Sequence, residues 1–362
     1  MDDEVREAVL NRSDLVLLGA AGILCVLAGV GHYAEWPSVL RFLLSGGAVT
    51  ALAALVGRSV EQLGDRLGAG ATGVLQSALG NLPELFICIF ALKSGLVGVV
   101  QAALIGSILA NLLLVLGACF LVGGLRHGTQ KLGSERAKSI SMLMLLSVTA
   151  LVIPSVAHWV HSPVEPHEKT FSLIVSVILL ALFALSLPAS LRRDEQSESG
   201  PGQEDHEVPR WPVTLAVAML AVAGAAAAFV SDWFVDALTP AMDALNVSEA
   251  FAGLVIVAIA GNAIENVVGV QLAARGQSEY AFSVVLNSPI QIGLVLAPVL
   301  VIVSQVFGLA TLTLVFSPML VIALIFAVVL AAFISIDGES NWLEGATLIA
   351  LYAVIATSFW WG

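Results

Sequence analysis

The chain has 362 residues, of which 58% are hydrophobic and only 12% are charged. A soluble domain of this length cannot bury so much apolar surface, so the composition predicts a membrane protein. The formal net charge of −12 argues against nucleic acid as a partner, because nucleic acid attracts basic surfaces.

Apolar runs long enough to cross a membrane, about 20 residues each, follow one another along the chain. The acidic N-terminal segment lacks the basic region of a signal peptide, so we expect the first run to be retained as a span. The sequence predicts an all-α polytopic membrane protein with about eleven transmembrane helices. The runs lie at 14–33, 38–57, 69–92, 96–122, 138–160, 170–190, 211–230, 249–274, 279–304, 311–334 and 342–361.

The charges between these runs predict how the chain is oriented. With eleven crossings, the side that holds the N-terminus receives twelve lysines and arginines, and the other side receives three, Arg41, Lys93 and Lys169. Cytoplasmic loops carry the excess of positive charge. We therefore predict a cytoplasmic N-terminus and an outer C-terminus. The twelve cytoplasmic residues are Arg6, Arg12, Arg58, Arg66, Arg126, Lys131, Arg136, Lys138, Arg192, Arg193, Arg210 and Arg275.

The stretch at 192–210, RRDEQSESGPGQEDHEVPR, is a long polar break between apolar runs. Its acidic composition predicts a flexible cytoplasmic linker, with cation sensing as an alternative role. The linker divides the chain into two parts of five spans each. The predicted units are an N-terminal segment with the first helix at 1–37, a first five-helix repeat at 38–191, the linker at 192–210 and a second five-helix repeat at 211–362.

Two motifs occur twice at nearly the same offset. GNLPEL at 80–85 recurs as GNAIEN at 261–266, 181 residues later, and GSILANLLLVLG at 106–117 parallels LNSPIQIGLVLA at 286–297, 180 residues later. This self-similarity predicts an internal repeat. Five spans per repeat invert the second repeat relative to the first, an arrangement common in secondary transporters with an ion site near the membrane midplane.

Each Gly-Asn-x-x-Glu motif contains a glutamate deep within an apolar run. Glu84 and Glu265 are too far from the ends of their runs to reach the interface, and an ionisable residue at that depth is typical of a functional site. Asn81 and Asn262 precede them by three residues and share a helix face with them. These oxygen-bearing side chains suit a hard cation such as Ca²⁺, which prefers six to eight oxygen ligands.

The second motif of each half adds a helix that bears further polar side chains. Ser107 and Asn111 share a helix face through their spacing of four residues, as do Asn287 and Gln291. They are candidate cation ligands. Alternatively, they link helices by hydrogen bonds, as such residues often do in membranes.

Prolines add candidate backbone ligands. Pro83 has no N–H to offer the carbonyl of Leu79, and Pro289 has none for the carbonyl of Val285. At membrane depth a freed carbonyl needs protein, water or an ion as a partner. We therefore predict that the carbonyl groups of Leu79 and Val285 are available to a cation.

Charge balance suggests a mechanism. Two ionised glutamates are neutralised by one Ca²⁺ or by two protons, and an empty, ionised site is costly in a low-dielectric environment. This favours exchange of Ca²⁺ for protons over one-way transport of either ion.

Together with DGESNWLEG at 337–345, these motifs resemble those of the CAX family of H⁺/Ca²⁺ exchangers, in the calcium/cation antiporter superfamily, over roughly residues 38–361. The resemblance implies one extra helix before two inverted five-helix repeats. It also implies that Glu84 and Glu265 are the principal ligands of both the cation and the proton. The supporting residues that it implies are Asn81, Asn262, Ser107, Asn111, Asn287 and Gln291.

Some positions depart from the family pattern. Asn266 stands where the second signature usually has histidine, and Pro83 is similar to the proline of sodium/calcium exchangers. These departures leave the choice of cation open. A Na⁺/H⁺ or mixed cation/proton antiporter at the same residues is the alternative.

Other classes are less compatible with the sequence. A cation channel would not require an inverted duplication, and no HExxH or Gly-x-Ser-x-Gly motif indicates an enzyme. We expect no cofactor besides the transported Ca²⁺ and H⁺, no nucleic-acid partner, and a lipid bilayer around the helices. Short loops suit a prokaryotic plasma membrane, with a vacuolar membrane as the alternative, and the oligomeric state is not indicated.

Two peripheral segments each have two interpretations. DGESNWLEG is either part of an ion path or a polar cap on the last helix. His158, His161 and His167, beside Glu165 and Glu168, form either an outer metal site or a proline-rich loop.

Overall fold

The structure is a computed structural model that describes residues 9–67, 79–132, 134–197 and 210–361. Long helices dominate these ranges, as the apolar runs predict, and three of them contain a π-helical turn. The helices are α1 (Arg12–Tyr33), α2 (Ser38–Leu67), α3 (Leu82–Lys93), α4 (Val97–His127), α5 (Ser134–Trp159), α6 (Glu168–Ser197), α7 (Val213–Leu245), α8 (Glu249–Gly261), α9 (Ala263–Ala274), α10 (Ser278–Val306), α11 (Pro318–Asp337) and α12 (Trp342–Ser358).

The helix lengths agree with a protein that spans a membrane. Within the described residues, seven helices are long and apolar enough to cross, and the bent pair α8 and α9 gives an eighth if it counts as one span. Two further apolar helices, Pro318–Ile334 and Trp342–Ser358, are shorter. The first part of the predicted run at 69–92 lies outside the described residues, which resume at Leu79.

The predicted span at 311–334 begins later than expected, because residues 309–317 are not helical. Gln101 in α4 donates a hydrogen bond to the carbonyl of Val315 (2.8 Å). Buried backbone groups must find partners, and serine side chains on three helices accept the N–H groups of alternate residues. Ser304 accepts from Leu312 (3.1 Å), Ser172 from Leu314 (3.0 Å) and Ser155 from Phe316 (2.9 Å).

A close helix crossing fixes the centre of the molecule. A Cβ atom at Gly106 in α4 would overlap the backbone of Leu254 in α8, and one at Gly253 would overlap the carbonyl of Val99. The two backbones are therefore in direct contact, which only glycine permits at these positions. This contact brings the second half of α4 close to the end of α8, where the GNAIEN motif begins.

Two helix groups surround this crossing. Helix α7 packs extensively along α2, and α1 packs against both of them. Helix α9 packs against α10 and the second half of α4, while α12 covers the π-helical turn Ala110–Val115 of α4. Helix α3 lies between the two groups, in contact with α7 and α4.

A short pair of strands joins two loops. Strand β1 (Gln130–Lys131), between α4 and α5, pairs antiparallel with β2 (Glu339–Ser340), between α11 and α12. The charge pattern predicts that both loops are cytoplasmic. Residues 198–209, most of the predicted acidic linker, lie outside the described residues.

Candidate functional site

The two Gly-Asn-x-x-Glu motifs form the same break in two different helices. Asn81 (φ −94°, ψ 16°) precedes the first residue of α3, and Asn262 (φ −106°, ψ 21°) precedes that of α9. The chain bends by 61° between Glu249–Gly261 and Asn266–Ala274. Since the second motif contains no proline, Pro83 is not required for the break, and the Gly-Asn pair is what the two breaks share.

Each motif glutamate is the third residue of the helix that follows its break, Glu84 in α3 and Glu265 in α9. The first N–H groups of a helix lack intrahelical partners, and its positive end favours a carboxylate. The last carbonyls of the preceding helix likewise lack partners and favour a cation. Of Glu265 the structure describes only the backbone.

The carboxylate of Glu84 lies where the two motifs meet. Glu84 is 0% exposed, and the Ser107 hydroxyl in α4 donates to its Oε1 (2.5 Å). Gly261 of the second motif packs against it, since a Cβ atom there would be 3.2 Å from Cβ and Cγ of Glu84. The fold therefore brings Glu84, Ser107 and the second motif together, as the sequence predicts.

A buried polar cluster continues from this point. Asn111 Nδ2 donates to the carbonyl of Ser107 (2.9 Å), Oδ1 of Asn262 (3.3 Å) and Oγ of Ser288 (3.2 Å). Ser288 also donates to Asn262 Oδ1 (3.2 Å). Asn111 and Asn262 are 0% exposed. These bonds link α4, α10 and the second motif, so the amide N–H groups do connect helices, as the alternative interpretation expects.

Two amide oxygens nearby have a different environment. Asn81 Oδ1 and Asn111 Oδ1 are buried and accept no hydrogen bond from any group that the structure describes. Buried polar atoms normally have a partner, so these oxygens are available to a ligand. Carboxamide and carboxylate oxygens are the ligands that hard cations such as Ca²⁺ bind.

The structure does not bring Asn287 into the cluster. Asn287 is exposed, whereas the next residue, Ser288, is buried and hydrogen-bonded. With 3.6 residues per helical turn, two successive side chains point about 100° apart, so only one of the two faces the cluster. Gln291, one turn after Asn287, is partly buried next to the π-helical turn Ile292–Leu296.

The two candidate backbone ligands lie in different settings. Leu79 is the last helical residue before the break at Gly80 and Asn81, so its carbonyl lies at the break. Val285 lies inside α10, which stays helical through Pro289. Proline therefore coincides with a helix break at only one of the two positions.

Two polar residues of this region were not singled out from the sequence. Thr50 in α2 donates to the carbonyl of Ala260, just before the second motif (3.5 Å). Ser288 corresponds to Ile108 at the offset of 180 residues, so comparison of the repeats pointed to Asn287 instead. Thr50 is a single hydroxyl in an apolar run, for which the sequence gives only a weak signal.

The peripheral segments have local structural roles. His161 pairs with Glu165 (2.9 Å) and His158 pairs with Glu168, and among the described residues no group of three or more His, Cys, Asp or Glu side chains could hold a metal ion. In DGESNWLEG, Asn341 forms a capping box with Glu344 at the start of α12. The cap interpretation of that segment is therefore confirmed.

The chain is similar to known proteins over nearly its full length. The sequence pattern of the sodium/calcium exchanger protein family matches residues 37–191 and 215–361. A Ca²⁺/H⁺ antiporter ChaA of Bacillus subtilis is 35% identical over 354 residues, 97% of this chain and 99% of that protein. A Ca²⁺/H⁺ antiporter of Aphanothece halophytica is 35% identical over 348 residues, 91% of this chain and 92% of that protein.

A solved structure gives the same result for the fold. The structure of native YfkE superposes with a TM-score of 0.81 at 33% identity, covering 95% of this chain and 99% of that chain. The resemblance found in the motifs is therefore accompanied by similarity of the whole chain.

Proposed function

The chain belongs to the sodium/calcium exchanger protein family, and from this premise we propose that it is a secondary-active antiporter that exchanges cytoplasmic Ca²⁺ for protons. The relatives described above are named Ca²⁺/H⁺ antiporters and align over nearly their whole length. The observation that carries the proposal is the buried Glu84 carboxylate. It lies against the second Gly-Asn-x-x-Glu motif and close to amide oxygens that accept no hydrogen bond from the described groups.

In this proposal Glu84 and Glu265 bind either one Ca²⁺ or protons. The ends of four half-helices meet near the two glutamates, with N–H groups that favour the carboxylates and carbonyls that favour the cation. Ser107 orients Glu84 through its hydrogen bond. Oδ1 of Asn81 and of Asn111 would complete the coordination, with backbone carbonyls such as that of Leu79.

We further propose eleven spans, with α1 preceding two inverted five-helix repeats, and a cytoplasmic N-terminus. Contacts between helix ends support this topology, because each joins ends predicted on the same side. The β1–β2 pair and the hydrogen bond from Trp211 to Asp14 join cytoplasmic ends. The hydrogen bonds from Ser38 to Pro240 and from Ser248 to Phe359 join outer ends.

The membrane that we propose is a prokaryotic plasma membrane, with the C-terminus outside. The relatives from Bacillus subtilis and Aphanothece halophytica support a bacterial setting. A lipid bilayer is then the surrounding partner of the apolar helix surfaces, and the acidic linker at 192–210 is a cytoplasmic connection.

The decisive experiment is transport in proteoliposomes with defined ion and pH gradients. The wild type should take up Ca²⁺ in response to an opposing proton gradient. Glu84→Gln and Glu265→Gln should each lower this rate by about 100-fold or more, since even residues that only support a metal ligand contribute 10- to 100-fold. Glu279→Gln, which removes an exposed carboxylate in α10, is the matched control. Normal exchange in both site variants would refute the proposal.

The alternative cation is tested in the same vesicles. One Na⁺ leaves two ionised glutamates with a net negative charge, so Ca²⁺ is the simpler partner in a low-dielectric site. Excess Na⁺ should therefore not compete with Ca²⁺ uptake. Competition at equal concentrations would favour a Na⁺/H⁺ or mixed cation antiporter.

A further inference from the structure

A buried ion pair ties the first helix to two others at their cytoplasmic ends. Asp14, in the first turn of α1, is 2% exposed. Its carboxylate accepts hydrogen bonds from Nε of Arg58 in α2 (3.2 Å) and from Nε1 of Trp211, just before α7 (3.2 Å). It also accepts from the backbone N–H of Asn11, which closes the capping box of α1. We refer to Asp14, Arg58, Gln62 and Trp211 as the cytoplasmic clamp.

Gln62 completes this clamp from α2. Its Oε1 accepts from the backbone N–H groups of Arg210 (2.9 Å) and Trp211 (3.0 Å), and Trp211 is 0% exposed. The chain that leaves the linker is therefore held by α2 before α7 begins. A carboxylate taken out of water is costly unless it is paired and hydrogen-bonded, and the antiport chemistry at Glu84 does not use this one.

The same three helices are interlocked at their outer ends by aromatic rings. His32 at the end of α1 stacks on Trp233 of α7, with ring centroids 5.6 Å apart, and Phe42 of α2 stacks on Phe234 of α7 at 4.8 Å. Gly29 of α1 lies directly against the Trp233 ring, where a Cβ atom would be 3.1 Å away. The helices α1, α2 and α7 are thus fastened to one another at both ends.

Contacts from this group to the binding helices are of a different kind. Thr50 of α2 makes a long hydrogen bond to the Ala260 carbonyl of α8 (3.5 Å). Lys93 of α3 pairs with Asp232 of α7 at 3.8 Å, and both side chains are largely exposed. Exposed ion pairs contribute at most about 1 kcal/mol, so these contacts resist sliding less than the clamp does.

We propose that α1, α2 and α7 move as one rigid group against the binding helices during transport, and that Asp14 is a positioning residue that holds α1 in this group. The proposal rests on the proposed antiport function. Asp14 and Trp211 touch neither ion. They act by transmitting the movement of α2 and α7 to α1.

A covalent cross-link tests whether α1 and α2 move together. Leu24 of α1 packs on Gly47 of α2, where a Cβ atom would be 3.7 Å from the leucine side chain. In a chain with Cys25, Cys88 and Cys119 changed to alanine, Leu24→Cys and Gly47→Cys are joined by a short thiol cross-linker in proteoliposomes. Ca²⁺/H⁺ exchange should continue at the rate of the reduced protein. Loss of exchange that a reductant restores would overturn the proposal.

A second cross-link tests the boundary of the group. Thr50→Cys and Ala260→Cys, in the same background, join α2 to α8. Exchange should stop on cross-linking and return with a reductant. Continued exchange in the cross-linked protein would show that α2 does not move against α8, and would also overturn the proposal.

The role of Asp14 is tested by rescue. Asp14→Ala should lower the maximal exchange rate by about tenfold with an unchanged apparent affinity for Ca²⁺, because conformational steps often limit turnover. The Leu24–Gly47 cross-link should restore the rate of Asp14→Ala, which repair of general instability would not require. Asp14→Asn, which keeps an oxygen acceptor, covers the case in which the alanine variant does not fold. Glu61→Gln removes an exposed carboxylate that also pairs with Arg58 and serves as control.

These outcomes separate the two proposals. Absence of exchange in the wild type would reject the antiport function itself. Exchange in the wild type, with no rescue of either Asp14 variant by the cross-link, would reject only the role of Asp14.

Discussion

At the scale of single residues, the site is built around one buried acid and its immediate neighbours. Glu84 accepts a hydrogen bond from Ser107 and packs against Gly261, so two segments far apart in sequence meet at one carboxylate. The absence of a side chain at Gly261 is what permits this approach. The identity of the glutamate was readable from its depth in an apolar run, whereas its contact with Gly261 was not.

Neighbouring residues in α10 provide a sharp test of the cluster. Ser288→Ala should weaken apparent Ca²⁺ affinity or turnover by a factor that corresponds to about 1–3 kcal/mol, because Asn111 and Asn262 lose a buried partner. Asn287→Ala should have little effect, since Asn287 is exposed. The measurement is the Ca²⁺ dependence of exchange in proteoliposomes. The opposite order of effects would mean that Asn287 is the ligand, as comparison of the repeats suggested.

At the scale of helices, the two breaks show what the duplicated motif specifies. Asn81 and Asn262 adopt nearly the same backbone angles, although only the first motif contains proline. Their carbonyls accept the first hydrogen bond of the following helix, from Leu85 (2.9 Å) and from Asn266 (3.2 Å). The Gly-Asn pair thus ends one helix and begins the next, with the glutamate in the first turn.

The crossing of α4 and α8 depends on glycine, and a substitution there should be costly. Gly106→Ala would push a Cβ atom into the backbone of Leu254, so the two helices must separate. We expect a loss of about 1–3 kcal/mol of stability, typical of overpacking, together with reduced exchange because Ser107 moves relative to the second motif.

The control for this change lies in α1. Gly22→Ala introduces a Cβ atom with no atom within 4 Å, and alanine favours helix more than glycine does. Thermal unfolding in detergent should show a lower midpoint for Gly106→Ala and an unchanged or higher one for Gly22→Ala. Equal midpoints would show that the crossing tolerates a side chain.

At the scale of the whole molecule, the charge of the site determines how transport responds to the membrane potential. Two glutamates that carry either one Ca²⁺ or two protons are neutral in both loaded states. One cycle then moves no net charge across the membrane. The membrane potential should therefore neither drive nor oppose the exchange.

This expectation can be measured with potassium diffusion potentials. A potential of 100 mV acts on one net charge with about 2.3 kcal/mol, which would change the rate severalfold or more if the cycle were not neutral. The initial rate of Ca²⁺ uptake under a fixed pH gradient should stay the same at either sign of potential. Uptake that accelerates with an inside-negative potential would exclude a neutral cycle.

The sequence by itself determined the class of protein, the approximate spans and the principal acids. Apolar composition and run length are local properties, because the bilayer requires each span to be apolar wherever it packs. Glu84 and its duplicate Glu265 stand out for the same reason, as charge in an apolar run. The resemblance to H⁺/Ca²⁺ exchangers rested on these motifs, and the similarity of the whole chain agrees with it.

The tertiary structure decided the features that depend on which helix faces meet. It placed Ser288 rather than Asn287 in the buried cluster, because helical phase is fixed by packing and not by a repeat offset. It showed that residues 309–317 are not helical, since serines on distant helices satisfy the backbone there. It also revealed Asp14 beside Trp211, residues nearly two hundred positions apart whose pairing no local pattern encodes.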